Sequence, residues 1–401
     1  MGANRIIIVG AVFWFGVLLG AFAYDARAGQ SIPSDKPVIV TNPKYPVPPA
    51  GQRKNIVFKE ELTIGVAEGD ENYLFEKNIQ PTADEKGCIY IVNWDRKRIQ
   101  KYDANGKYLF TMGRPGQGPG EFQNIWVPRF DGKGRIYATD IAAKRVVFFD
   151  KENGRYQDQI KTGGQQMGTV FLLPNGAYFS STMTENQTGN DTTVYGIFTK
   201  DFKLQTELHR EQTEFKNRDP RAGRAQLMAG IMSDEAFKPA LNPCVTDDGR
   251  IVIAYPAAYD IKIYDDLGKT LMIIRKEAKP KPVTDAHKKY YFETTVMYWL
   301  SRSQKNLALK EDVRKAMTYP KFLPAYRFCF PMDNGWMFVV EDSLLESSWI
   351  DLFDNKGVYI GRFKTNIPVD LLTFANGKAY AVADIDGFKY VKRYGYSIQN
   401  Y

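Results

Sequence analysis

An all-β fold, a ring of six four-stranded blades closed by an N-terminal strand, is predicted by three observations. A unit recurs in which a Gly is followed 15 residues later by an aromatic and an Asp: Gly87 with Tyr102-Asp103, Gly134 with Phe149-Asp150, Gly249 with Tyr264-Asp265. Within each copy two apolar-alternating runs flank a short polar gap, and Gly or Asp occupies the turns, which is the pattern of a β-meander. The first two copies lie 47 residues apart, and a fixed period of that length marks a propeller array.

The elements follow in order. Arg5 precedes an apolar run, Ile6 to Ala23, and the small-x-small triplets Ala21-Phe22-Ala23 and Ala26-Arg27-Ala28 come at its end. Residues 1–28 therefore read as a secretory signal peptide or a retained membrane anchor, which places the remainder in the periplasm or outside the cell. Residues 29–54 hold Pro33, Pro37, Pro43, Pro46, Pro48 and Pro49 and read as an extended linker that buries little surface. The propeller occupies 55–401. Blade one spans Pro81 to Phe122 and blade two Ile125 to Ile160. Blade three is stretched by a polar insertion at Thr182 to Thr193. Blade four spans Ala240 to Ile274, blade five Tyr326 to Phe363, and blade six begins at Leu371. Blade six runs out of chain before a fourth strand, and Ile56 to Ile64 is expected to supply it and remove the exposed edges.

Two long insertions interrupt the pattern. Residues 213–239 are polar, Arg-rich and weakly helical. Residues 283–322 form a helical insertion in which Thr284 caps the start and Ala286, Phe292, Val296, Trp299 and Leu300 form the apolar stripe expected to pack on the propeller. The loops between second and third strands emerge on the same side of a propeller as those leading to the next blade. All three extras therefore crowd one face, and a rigid ring carries its function on such loops.

Aromatic residues make up 14% of the chain, which suits β-structure, and the net charge of +8 is dispersed in mixed-sign segments with no basic stripe for nucleic acid. Cys88, Cys244 and Cys329 lie in apolar runs and read as core residues; a pairing of Cys244 with Cys329 across neighbouring blades is the alternative.

Blade one ends in Arg114-Pro115-Gly116-Gln117-Gly118-Pro119-Gly120-Glu121-Phe122, read as a tight inter-blade crossing plugged by Phe122. Together with the unit Gly-x-Ile-Tyr followed by Asn93 or Asp140, and then by Arg98 or Arg145, it resembles NHL-repeat proteins. More narrowly it resembles the secreted bacterial 6-bladed β-propeller family, over roughly Ile56 to Ser397. That resemblance implies fold and is nearly silent about activity. Gluconolactonase-like propellers hold calcium with oxygen ligands, which implies Asn93, Asp140, Asp342 and Asp384 as a possible calcium set. Amidating lyases with a similar propeller use histidines around zinc, whereas this chain has only His209 and His287.

The candidate ligand-binding residues are Asn93, Trp94, Arg98, Asp140, Arg145, Asp342 and Asp384. Asn93 with Arg98, and Asp140 with Arg145, recur at one offset, as intra-blade staples or as ligand contacts at strand ends; Trp94 is the exposed aromatic among them. No nucleophile elbow or Ser-His-Asp signature is present. The expected function is an extracytoplasmic binding or scaffold propeller that recognises a protein, peptide or glycan on the insertion-bearing face. A lyase or hydrolase acting at the central channel is the second reading, and a membrane-tethered assembly subunit the third.

Overall fold

A computed structural model describes residues 36–185, 191–213, 222–341 and 348–401, and Pro37–Tyr401 forms one compact unit. It is a six-bladed β-propeller: six sheets whose strands pair in chain order follow one another around a ring. Blade one consists of Ile79–Ala83, Ile89–Asn93, Arg98–Tyr102 and Tyr108–Met112. Blade two consists of Arg129–Phe130, Arg135–Asp140, Arg145–Asp150 and Tyr156–Lys161. The first strand of each blade is short and lies at the axis, where neighbouring first strands touch: Thr373 Oγ1 of blade six donates to the Pro81 carbonyl of blade one over 3.1 Å.

Each sheet packs one face on the preceding blade and the other on the next. Tyr90, Val92 and Ile99 of blade one meet Ile136, Ala138, Val147 and Phe149 of blade two, whereas Ile89, Ile91 and Tyr102 meet Tyr380 and Val391 of blade six. Both faces of a central strand are thus apolar, which is why Ile89–Asn93 is buried at every position.

Ring closure is as the sequence predicts. Lys54–Ile64 runs antiparallel to Phe388–Asn400 as the fourth strand of blade six, from Lys54 opposite Asn400 to Ile64 opposite Val391, with one register shift between Glu60 and Leu62.

Three local expectations are corrected. The linker is not a loose tether throughout: Val38–Asn42 adds parallel to Thr270–Lys276 as a fifth strand on the outer edge of blade four. Buried Asn42 then reaches blade five, its Nδ2 donating to the Gly357 carbonyl (2.9 Å) and its Oδ1 accepting from the Tyr359 amide (2.7 Å). In blade three the supposed polar loop is a lengthened hairpin, because Tyr178–Glu185 and Asp191–Phe198 stay paired to their ends. A hairpin that projects beyond the ring is polar on both faces, so the alternation that betrays a strand is lost.

The helical insertion does not lay its stripe on the propeller. Phe292, Val296 and Leu300 pack instead on Ala225 and Ala229 of the helix Arg224–Glu235, from the other insertion, and on Val313 and Met317 of the segment around the helix Lys310–Ala316. Between the helices Asp285–Tyr291 and Met297–Leu300 lies a π-helical turn, Phe292–Val296. One extra residue in that turn rotates the register, so Ala286 and Trp299 face solvent while His287 is buried. Thr284 caps the first helix as expected, with His287 as its reciprocal partner: the Thr284 amide donates to His287 Nδ1 over 3.1 Å. Among the described residues no helix is long and apolar enough to cross a membrane; Ile6 to Ala23 lies outside them.

Candidate functional site on the insertion-bearing face

The turns between second and third strands share one construction. A residue at the end of the second strand accepts from the amide three residues on: Asn93 Oδ1 from Arg96 (2.8 Å), Asp140 Oδ1 from Ala143 (3.3 Å), and Asp384 Oδ1 from Gly387 (3.0 Å). The residue that re-enters the third strand has a positive φ, 52° at Lys97 and 51° at Lys144. The recurring Asn or Asp is therefore first a turn-forming residue, because a short polar side chain can satisfy its own loop's backbone.

Asp140 is fully buried and also accepts from the Gln123 and Asn124 amides; Arg145 Nε lies 3.5 Å from its carboxylate. Arg145 then donates to the Gln117 and Glu121 carbonyls and so fixes the Gly-rich crossing. This is the expected staple. In blade one it is built differently. Asn93 and Arg98 face each other in backbone register, yet Asn93 Nδ2 donates to Glu76 (2.6 Å), and Glu76 also pairs with Arg96. Arg98 Nε and Nη2 are buried without partners. Trp94 is half-buried against Trp126 (ring centroids 6.2 Å apart), and Trp126 is the exposed member of that pair. Asp342 lies outside the described residues.

Asn93 and Asp384 line no cavity themselves, but their partners Glu76 and Lys389 line the same one. A cavity of about 400 Å³ opens where the loops of blades six and one meet the helical insertion. Phe75, Glu76, Lys77 and Asn78, on the connection into blade one, form one wall; Asp95, Gly387 and Lys389 form another, and Tyr298 covers it from the insertion. Tyr298, Lys77 and Lys389 are the residues sequence reasoning missed, since the first lies on a helix whose register shifts, the second on a plain polar loop and the third at the start of the strand Phe388–Asn400. Asp384 pairs with Lys389 at 2.8 Å, which holds the Asp384 carboxyl below its ordinary range.

The carboxylates here are engaged. Glu76 serves Asn93 and Arg96, and Asp95 accepts from the amide and side chain of Asn78 (3.2 and 2.9 Å). Lys77 and the Tyr298 hydroxyl make no hydrogen bond within the described residues, and Tyr298 is 47% exposed beside Trp299, with Arg302 stacked 4.6 Å from the Trp299 ring. The free groups are donors on aromatic ground, suited to a ligand rich in acceptor oxygens.

Among the described residues no group of three or more His, Cys, Asp or Glu side chains gathers to hold a metal. His287 serves the helix cap, and His209 lies between the Tyr195 and Tyr255 rings, 5.3 Å from the latter. Of the possible calcium set, Asp342 lies outside the described residues, Asp140 accepts from three amides and Asp384 pairs with Lys389. Cys244 and Cys329 sit in one core cluster as free thiols.

Residues 70–188 match the family described as 6-bladed beta-propeller. NHL repeat-containing protein 3 from Homo sapiens is 28% identical over 109 residues, 26% of this chain and 31% of that protein; the Mus musculus protein is 29% identical over 85 residues, 20% and 24%. The chain thus spans about a third or less of the curated relatives it matches. Among solved structures, a presumed exported protein of Bacteroides fragilis superposes with a TM-score of 0.55 at 11% identity, covering 91% of this chain and all of that one. Virginiamycin B lyase of Staphylococcus aureus aligns over 85% of this chain and 99% of its own, at 9% identity and a TM-score of 0.41. At such identities the likeness is one of fold, and it carries no activity across.

Proposed function

We propose that this protein is an extracytoplasmic binding propeller that holds a glycan or peptide on its insertion-bearing face, in the cavity between Tyr298 and the loops of blades one and six. One observation carries the reading. Of the polar side chains in the walls, the acids are satisfied internally, whereas Lys77 and Tyr298 keep free donors over an aromatic floor that includes Phe75. Sugar hydroxyls and peptide carbonyls are the ligands such a wall accepts, and the preformed salt bridges around it keep the ordering cost of binding low. The location outside the cytoplasm rests on Arg5 and the apolar run that follows it. A membrane contact follows only if that run is retained.

The test is retention of labelled envelope polysaccharides and peptide libraries on the immobilised protein, compared with the Tyr298→Ala and Lys77→Ala variants. Tyr298 is exposed, so its truncation leaves the fold intact, and each change is expected to weaken binding at least about tenfold, the size of one lost aromatic or charged contact. Equal retention by wild type and both variants would move the ligand off this cavity.

A further inference from the structure

Arg129 lies on the two-residue innermost strand of blade two, two positions before the turn at Asp131 on the face opposite the insertions. Its Nε is sealed from solvent without a partner, and its guanidinium makes no hydrogen bond or ion pair among the described residues. It rests 4.9 Å over the ring of Phe171, on the innermost strand of blade three. Its field also reaches Cys244, on the innermost strand of blade four. Blade three stands between blades two and four around the ring. The side chain is thus half-buried among the innermost strands, the ones that stand nearest the propeller axis.

A buried cation needs a counter-charge, and among the described residues no carboxylate forms an ion pair with Arg129. Burial pushes the Cys244 thiol up to about 12, and the neighbouring Cys329 thiol is raised as well, so both remain neutral S–H groups. Asp247, whose charge acts on Arg129, is exposed in the turn after Asn242–Val245. Asp333 is raised by burial, against the hydrogen bond from the Gly377 amide and with a smaller push from Asp247.

We infer that the propeller axis holds an anion site in which Arg129, seated over the Phe171 ring, binds a small monoanion, a halide or a carboxylate. A planar fork suits a carboxylate with two parallel hydrogen bonds, and a halide with converging ones.

The test uses the full chain purified in methanesulfonate, with crystals soaked in bromide and measured at the bromine edge. A single anomalous peak within hydrogen-bonding reach of the Arg129 guanidinium is expected, and no peak there in Arg129→Met. Adding formate to the soak separates the two chemistries: loss of the peak identifies a carboxylate-competent site, and its persistence a halide site. In parallel, bromide should raise the Tm of the wild type over methanesulfonate at equal ionic strength, but not that of Arg129→Met. Should that variant fail to fold, Arg129→Lys takes its place, with a weaker peak expected because the fork is lost. No peak beside Arg129 in the wild type, or the same peak in the Met variant, overturns the inference.

Discussion

The Lys54 carbonyl presses directly on the α-carbon of Gly361, so closely that a β-carbon at 361 would overlap it. Gly361 lies in the outer strand of blade five, Tyr359–Lys364, and Lys54 begins the strand that closes blade six. The glycine is required for space and not for backbone conformation, since its φ is not positive. Gly361→Ala is expected to destabilise the fold by about 2–3 kcal/mol, the cost of overpacking against backbone that cannot turn aside. Denaturant unfolding with an unchanged m-value measures it, and unaltered stability would show that the two blades are not locked there.

Asn42 is a similar lock, made by a side chain. Asn42→Ala strands the buried Tyr359 amide and Gly357 carbonyl and should cost about 1–3 kcal/mol. A truncation that begins at Arg53 removes the fifth strand of blade four as well and should lower the Tm further than the point variant. If the truncated protein melts with the full chain, the strap contributes nothing.

The ion cluster between blades four and five sets an acid limit. Glu341 accepts from Arg362 (2.7 Å) and Lys281 (2.7 Å), and Asp351 from Lys276 (2.8 Å), Tyr259 (2.7 Å) and Tyr359 (2.6 Å). Burial alone would raise Glu341, yet the hydrogen bonds from Arg362 and Lys281 hold it well below the usual carboxylate range. Its contribution is therefore complete above the unfolded value of about 4.3 and is lost as pH falls toward the folded one. Asp351 runs the other way: burial and the Glu341 charge raise it, so its ionised form opposes folding above the ordinary Asp value. Glu341→Gln should lose about 3 kcal/mol at pH 7, where Lys281 loses its counter-charge and Arg362 keeps only Asp351 (2.9 Å), and should flatten the fall in stability between about pH 5 and pH 3. Melts of both proteins across that range decide it; parallel curves would place the acid sensitivity elsewhere.

The helical insertions share a core of their own, and this makes a prediction about local opening. Phe292→Ala removes a ring that is 2% exposed and lies 4.2 Å from the Arg314 guanidinium, a loss of about 3–5 kcal/mol. Because its neighbours are Ala229, Val296 and Val313 rather than blade residues, amide exchange should accelerate in 224–235 and 285–316 while the blades keep their protection. Uniform acceleration would mean that the insertions brace the ring.

The blades were legible because each is a local meander: Gly87, Gly134 and Gly249 take φ values of 78°, 84° and 84° at turns that few other residues tolerate. The closing strand could be read as the missing partner of an unfinished blade. Val38–Asn42 could not, since a parallel edge strand flanked by prolines has neither a hairpin nor a buried face to announce it. At the site, Asn93 and Asp384 were visible through repetition, whereas Tyr298 depends on a one-residue slip of helical register that apolar periodicity conceals. The anion-site candidate, Arg129, carries no local signal at all, because what distinguishes it is which strands surround it.

The pairing of Lys54 with Asn400 spans 346 residues, and that interval is also a timetable. During synthesis the closing strand emerges early and its partner last, so it must wait unpaired while five blades form, a templating edge available to other chains. A ring sewn shut by its two ends thus exchanges slow, non-local closure for a finished state without a loose sheet edge at the seam.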